Sequence, residues 1–218
     1  MTYWDCFVDW LDKWQTLITG ALALGAAYYA GRPVYRQLAL MRAQNNVMVR
    51  ETIGHMIQQL DAHRDRVQEI TAKRLTDVHS AIYRFDNYGE TKGIDEWAHQ
   101  QHGEFVSAES ELKALFVTSH DVEAVEERKA DLLAAVNDLS GILWDIQAPH
   151  YEFMFPEDCN WSDEERATAV ARSSEAENEL DATAGAVSAA VKQLYDAYAQ
   201  QRAGLVRRLR VIDDSLLS

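Results

Sequence analysis

WQTLITGALALGAAYYAG, residues 14–31, runs for eighteen residues without a charged side chain, between Lys13 and Arg32. As a helix it rises ~27 Å, close to the hydrocarbon thickness of a bilayer. Small or apolar residues all round leave it no wet face for packing in a water-filled bundle. The stretch therefore reads as one membrane-spanning helix, and the rest of the chain is read outward from it.

The flank before it, residues 1–13, is rich in aromatic residues. Trp4 and Trp10 are placed at the bilayer boundary, where an apolar ring with one polar handle is favoured. Arg32 and Arg36 sit just past the run, whereas Asp5, Asp9 and Asp12 precede it with one lysine. The positive-inside bias then puts the N-terminus outside and residues 32–218 in the cytoplasm, giving a single-pass protein of the inner membrane. Within the run, Gly20, Ala23, Ala27 and Gly31 form a stripe of small residues with Thr16. Such a stripe lets two helices approach closely and makes a homo-oligomer an expectation.

The body is expected to be helical throughout. The chain has only three prolines, Pro33, Pro149 and Pro156, and Ala, Leu, Glu, Gln and Arg dominate between them. Apolar residues recur at three- and four-residue steps, which predicts helices over 34–86, 94–118, 121–148 and 162–212. Val49, Ile53, Met56, Leu60, His63, Val67 and Ile70 make a heptad seam in the first, and Leu180, Ala184, Val187, Val191, Leu194 and Tyr198 make one in the last. A turn is expected around Asn87, Gly89 and Gly93, and Ser119 or Asp121 is a candidate cap for the third helix. Pro149 is expected to stop that helix. Ser162 and Glu165 have the spacing of a capping box before the fourth.

The first and last of these helices are about twice as long as the middle pair. Together they predict an all-α chain: one N-terminal transmembrane helix, then a long antiparallel helical bundle with a two-stranded coiled-coil stalk. In that scheme Arg202, Arg207, Arg208 and Arg210 return to the inner leaflet. In general plan the chain resembles small bacterial single-span proteins whose body is a coiled coil or bundle. That likeness is architectural and carries no activity.

Charge and motifs narrow the function classes. The net charge is −14, with +1 on residues 1–43 and −15 on the rest. Such a body repels a phosphate backbone, so nucleic-acid binding is not expected. Cys6 and Cys159 fall on opposite sides of the expected span, so no disulfide is indicated. No phosphate loop, dinucleotide fingerprint or nucleophile motif is present. Glu96, His99 and His102 have the step of a bundle metal site but lack a second copy, and are read as solvated groups beside Trp97. No catalytic residue, metal or cofactor is therefore expected. The loop HYEFMFPEDCNW offers His150, Tyr151, Phe153, Phe155 and Trp161, which either bind a partner or lid the bundle core. The expected function is a non-enzymatic, membrane-anchored helical scaffold or adaptor with a lipid bilayer and an unidentified protein as partners. The alternatives are a signal-transmitting component that shifts helix register and, least favoured, a bundle-core metal enzyme.

Overall fold

Three- and four-residue apolar spacing and the shortage of helix breakers produce a chain built from four helices. The computed structural model describes residues 3–88, 93–117, 121–155 and 161–217. Every element among them is helical: α1 (Tyr3–Tyr88), α2 (Ile94–Val117), α3 (Glu123–Met154) and α4 (Asp163–Leu217). Gly93 stands before α2 at φ 84°, a left-handed conformation that glycine takes without strain. Its carbonyl accepts the Trp97 N–H at 3.0 Å to open the helix. Gly89 and Ser119 lie outside the described residues. The chain divides into two compact units, Met1–Gly54 with Arg208–Ser218, and His55–Arg207.

The His55–Arg207 unit is an antiparallel four-helix arrangement. Arg74 of α1 reaches Glu104 and Glu111 of α2, and His102 of α2 bonds Ser140 of α3. Arg128 of α3 bonds Gln193 of α4, while Arg202 of α4 pairs with Asp61 of α1. Within a pair the numbering runs in opposite senses: Arg66 reaches Glu111 where Arg74 reaches Glu104, and Asp61 pairs with Arg202 where His79 bonds Ser188. Most of the core is the set that the spacing marks: Leu60, Val67 and Ile70 of α1; Val125, Leu132, Val136, Leu139, Leu143 and Ile146 of α3; and Leu180, Ala184, Val187, Leu194 and Tyr198 of α4 are all buried, whereas Val49 and Met56 of the same α1 seam are exposed. His63 breaks the α1 seam as a half-buried imidazole.

In the other unit, Arg50 of α1 bonds Asp213 of α4 at 2.7 Å, and Ile53 is buried nearby. None of the described side chains between Tyr3 and Thr52 is buried. The expected stalk is therefore short. α4 has 55 residues against 86 in α1, reaching Leu217 with Asp213 beside Arg50.

The membrane reading is overturned. Among the described residues no helix is long and apolar enough to cross a membrane. An uncharged stretch is not the same as an apolar one. Gln15, Thr19, Tyr28 and Tyr29, with three glycines, dilute Leu17, Leu22 and Leu24 until their summed transfer free energy falls short. Trp14, Gly20, Ala23, Ala27 and Gly31 instead belong to the continuous helix α1, with Trp4, Trp10, Arg32 and Arg36 on the same arm. The transmembrane helix at 14–31, the inner-membrane location and the assignment of sides fall together. The bilayer thereby loses its basis as a partner.

Two prolines also behave differently from expectation. Pro33 and Pro149 both lie inside helices. Each lacks an N–H and crowds the carbonyl four residues back, which normally ends a helix. In α3 the turn beyond Pro149 is held from α2: Tyr151 packs on the His99 ring at 6.4 Å, and His150 contacts Asp95 at 3.1 Å. The helix therefore continues to Met154, and the connection to α4 is shorter than the sequence suggests.

Candidate functional site

Residues near the end of α3 and at the start of α4 line an open cleft. It has a volume of about 570 Å3, and Trp144, Asp145, Trp161, Glu164, Glu165 and Arg172 are among its lining residues. Both walls are anchored. On the α3 side, Trp144 stands between the His102 ring at 5.3 Å and the Tyr151 ring at 5.6 Å. Tyr151 in turn packs on Phe155 at 4.8 Å. These contacts hold an exposed indole in one place without burying it.

The α4 side is fixed by its N-terminal cap. Ser162 N–H donates to Glu165 Oε2 at 2.7 Å, and Glu165 N–H donates back to Ser162 Oγ at 3.3 Å. This is the reciprocal capping box that the spacing predicts. The Ser162 backbone N–H, followed by its hydroxyl, holds the Glu165 carboxyl below the usual carboxylate range. Arg166 then bridges to Glu152 of α3 at 2.7 Å, fastening the two helix ends together. Asp145, Glu164 and Glu165 give the cleft three carboxylates against one guanidinium, Arg172.

The structure distributes the sequence-chosen residues unequally. Trp161 lines the cleft, whereas His150 faces Asp95 and Tyr151 and Phe155 stack beside Trp144. The side chain of Phe153 and residues 156–160, Cys159 included, lie outside the described residues. Trp144 itself was missed. It falls off the apolar phase of Leu143 and Ile146, and a tryptophan out of phase with its helix seam is the signal that it faces outward. His99 is exposed and His102 half-buried, but neither faces solvent alone. They bond Gln147 and Ser140 of α3, so that motif ties helices together.

A second polar cluster escaped the sequence reading. Lys129, at a heptad position between Val125 and Leu132, is buried. Its ammonium lies 2.6 Å from Asp121 Oδ2 and 2.9 Å from Glu126 Oε1, and 5.4 Å over the Phe116 ring. Gln201 Nε2 donates to the other Asp121 oxygen at 3.2 Å. Asp121 is thus the counter-ion of a buried lysine, not the side-chain cap of α3. That helix begins after Val122 with no side-chain cap. Desolvation, reinforced by Asp121 and Glu126, pushes the neighbouring Tyr198 hydroxyl well above its ordinary pKa.

His63 faces the same cluster. Burial lowers its pKa below 6.5; Asp121 opposes that shift and Lys129 adds to it. The folded chain thus prefers the neutral imidazole, while the unfolded chain takes up the proton at about 6.5. No penalty arises above that pH, and stability falls as pH drops through it. We expect His63→Gln to flatten the loss of urea midpoint between about pH 7.5 and pH 5.5. Parallel curves for the parent and the variant would show that His63 does not titrate on unfolding.

Compared with protein-family models, curated proteins and solved structures, the chain shows no significant match.

Proposed function

We propose that the protein is a non-enzymatic helical adaptor that receives a basic segment of a partner protein in the cleft between α3 and α4. The observation that carries this reading is the pairing of two indoles, Trp144 and Trp161, with Asp145, Glu164 and Glu165 in one anchored groove. An indole face attracts a lysine or arginine head by its quadrupole, and carboxylates alongside complete the charge. Rigid tryptophans in a concave site are also the side chains that most often dominate the energy of a protein interface. The net charge of −14 steers a basic partner toward the body.

The test is calorimetric titration of the full chain with a twenty-residue amphipathic peptide rich in lysine and arginine, beside a charge-reversed control. Binding of the basic peptide alone is expected. Trp161→Ala should weaken it by about thirty-fold, as loss of a hot-spot residue worth ~2 kcal/mol implies. Equal binding of both peptides, or an unchanged affinity in Trp161→Ala, would remove the cleft from the argument.

A further inference from the structure

Asp145 lines the cleft and also the outer groove between α3 and α4, together with Asp131, Asp138 and Gly141 of α3 and Glu179 and Ala182 of α4. That groove has a volume of about 770 Å3, so the cleft is the smaller of two adjoining hollows. The cleft contains Arg172, but the groove is lined by four carboxylates and no lysine, arginine or histidine. Three of the carboxylates, Asp131, Asp138 and Asp145, recur every seventh residue of α3, ~10 Å from one to the next. Arg128 pairs with Asp131 at 2.7 Å and marks the far end of the row. Among the described residues Asp138, Asp145 and Glu179 carry no ion pair. The floor between the walls is low. Ala134, Gly141 and Ala182 bring a methyl or less, and a Cβ at Gly141 would meet nothing within 4 Å. Small side chains on a helix surface let the axis of another helix come close.

We propose that the partner segment received by the cleft is a helix lying along this groove, with a lysine or arginine at every seventh residue facing the aspartates of α3. The inference rests on the cleft reading above and extends it in length and in conformation. Charge selects a basic occupant, because each wall is acidic and nothing in the groove neutralises it. Spacing selects the helix. Seven residues of helix rise ~10 Å and bring the side chain back to nearly the same face, so one cation meets each aspartate. In an extended segment ~10 Å is three residues, which turns the next side chain to the opposite face. An exposed ion pair contributes little by itself. The row therefore sets register and conformation, while Trp144 and Trp161 supply the anchor at one end.

The experiment titrates the full chain calorimetrically, in low-salt buffer, with two eighteen-residue peptides of one composition: alanine, glutamine, leucine and three lysines. The matched peptide has lysine at its second, ninth and sixteenth positions. Its isomer has lysine at the fourth, ninth and fourteenth, which spreads the charge round the helix. The matched peptide should bind about ten-fold tighter, and Asp131→Asn with Asp138→Asn should remove that margin. Gly141→Leu should remove it too without lowering the melting temperature, because leucine favours helix over glycine and enters open space. Equal affinity of the two peptides, with both weakened in Trp161→Ala, overturns the groove and leaves the cleft standing. So does a margin that survives the two asparagine substitutions. Should neither peptide bind while the lysine- and arginine-rich one does, the groove falls alone; should all three fail, both readings fall. A parent that light scattering shows as a dimer, split by Gly141→Leu, puts a second copy in the groove and overturns the proposal as well.

Discussion

Asp121→Ala is expected to destabilise the protein by about 3–5 kcal/mol, nearer the lower figure. The reason is the lysine it leaves behind. Lys129 has 3 % of its side chain exposed and Asp121 has 9 %, so both charges have given up most of their hydration. Breaking such a pair from one side strands an ammonium in a poorly solvated site, and that cost exceeds what the intact pair contributes. Glu126, 2.9 Å from the same nitrogen and 45 % exposed, remains as a partial counter-ion and moderates the loss. Chemical unfolding should show a lower midpoint with an unchanged slope, and the melting temperature should fall by roughly 10 °C. Lys129→Met combined with Asp121→Leu is expected to recover most of the difference, because an apolar pair of similar volume has no desolvation cost to offset. If Asp121→Ala stays within about 1 kcal/mol of the parent, water reaches the ammonium and the pair is not insulated.

That cluster also shows where sequence reading loses its grip. Periodicity identifies which face of a helix points inward, and it did so for Val125, Leu132, Val136 and Leu139, all buried in α3. It assigns the phase of a residue without saying what a polar residue in that phase will do. Lys129 sits in phase, but its counter-ion comes from the segment before α3, and the pairing becomes visible only once that segment has a path. The capping box at Ser162 was legible because both partners lie three residues apart on one strand of chain. Trp144 and Trp161 are separated by a connection of unknown course, so their shared cleft was not.

The uncharged run near the N-terminus failed for a different reason. Its length fitted a bilayer and its lack of charge fitted too, but transfer into hydrocarbon depends on summed side-chain and backbone terms. Gln15 and Thr19 are exposed polar residues inside the uncharged run, and glycine adds no apolar area. The same residues that disqualify a span leave an aromatic and leucine stripe along one face.

Phe105→Ala is expected to cost about 3–5 kcal/mol, the range for removing a buried phenylalanine and leaving part of its volume empty. α2 is the shortest helix, and its buried residues are Ala98, Gln101, Phe105, Ala108, Leu112 and Phe116. Three of those six are alanine or glutamine and bring little apolar area, so Phe105, Leu112 and Phe116 carry most of what holds α2 in place. A 24-residue helix of this composition gains little from propensity alone; packing keeps it folded. Phe105 is the middle one of the three and is 2 % exposed, so its neighbours cannot close the gap without moving α2 as a whole. We therefore expect faster amide exchange throughout α2, and a melting temperature lowered by roughly 8–16 °C. The adjacent Val106 is exposed, and Val106→Ala should stay within about 0.5 kcal/mol. Phe105→Leu, which keeps most of the volume, should lose about 1–1.5 kcal/mol. A small effect at Phe105 would mean that α2 is held by its polar contacts instead: the Arg74 bridges to Glu104 and Glu111, and the His102 bond to Ser140. Arg74→Ala separates the two accounts. If packing holds α2, losing those partly exposed ion pairs costs about 1 kcal/mol or less, well under the phenylalanine.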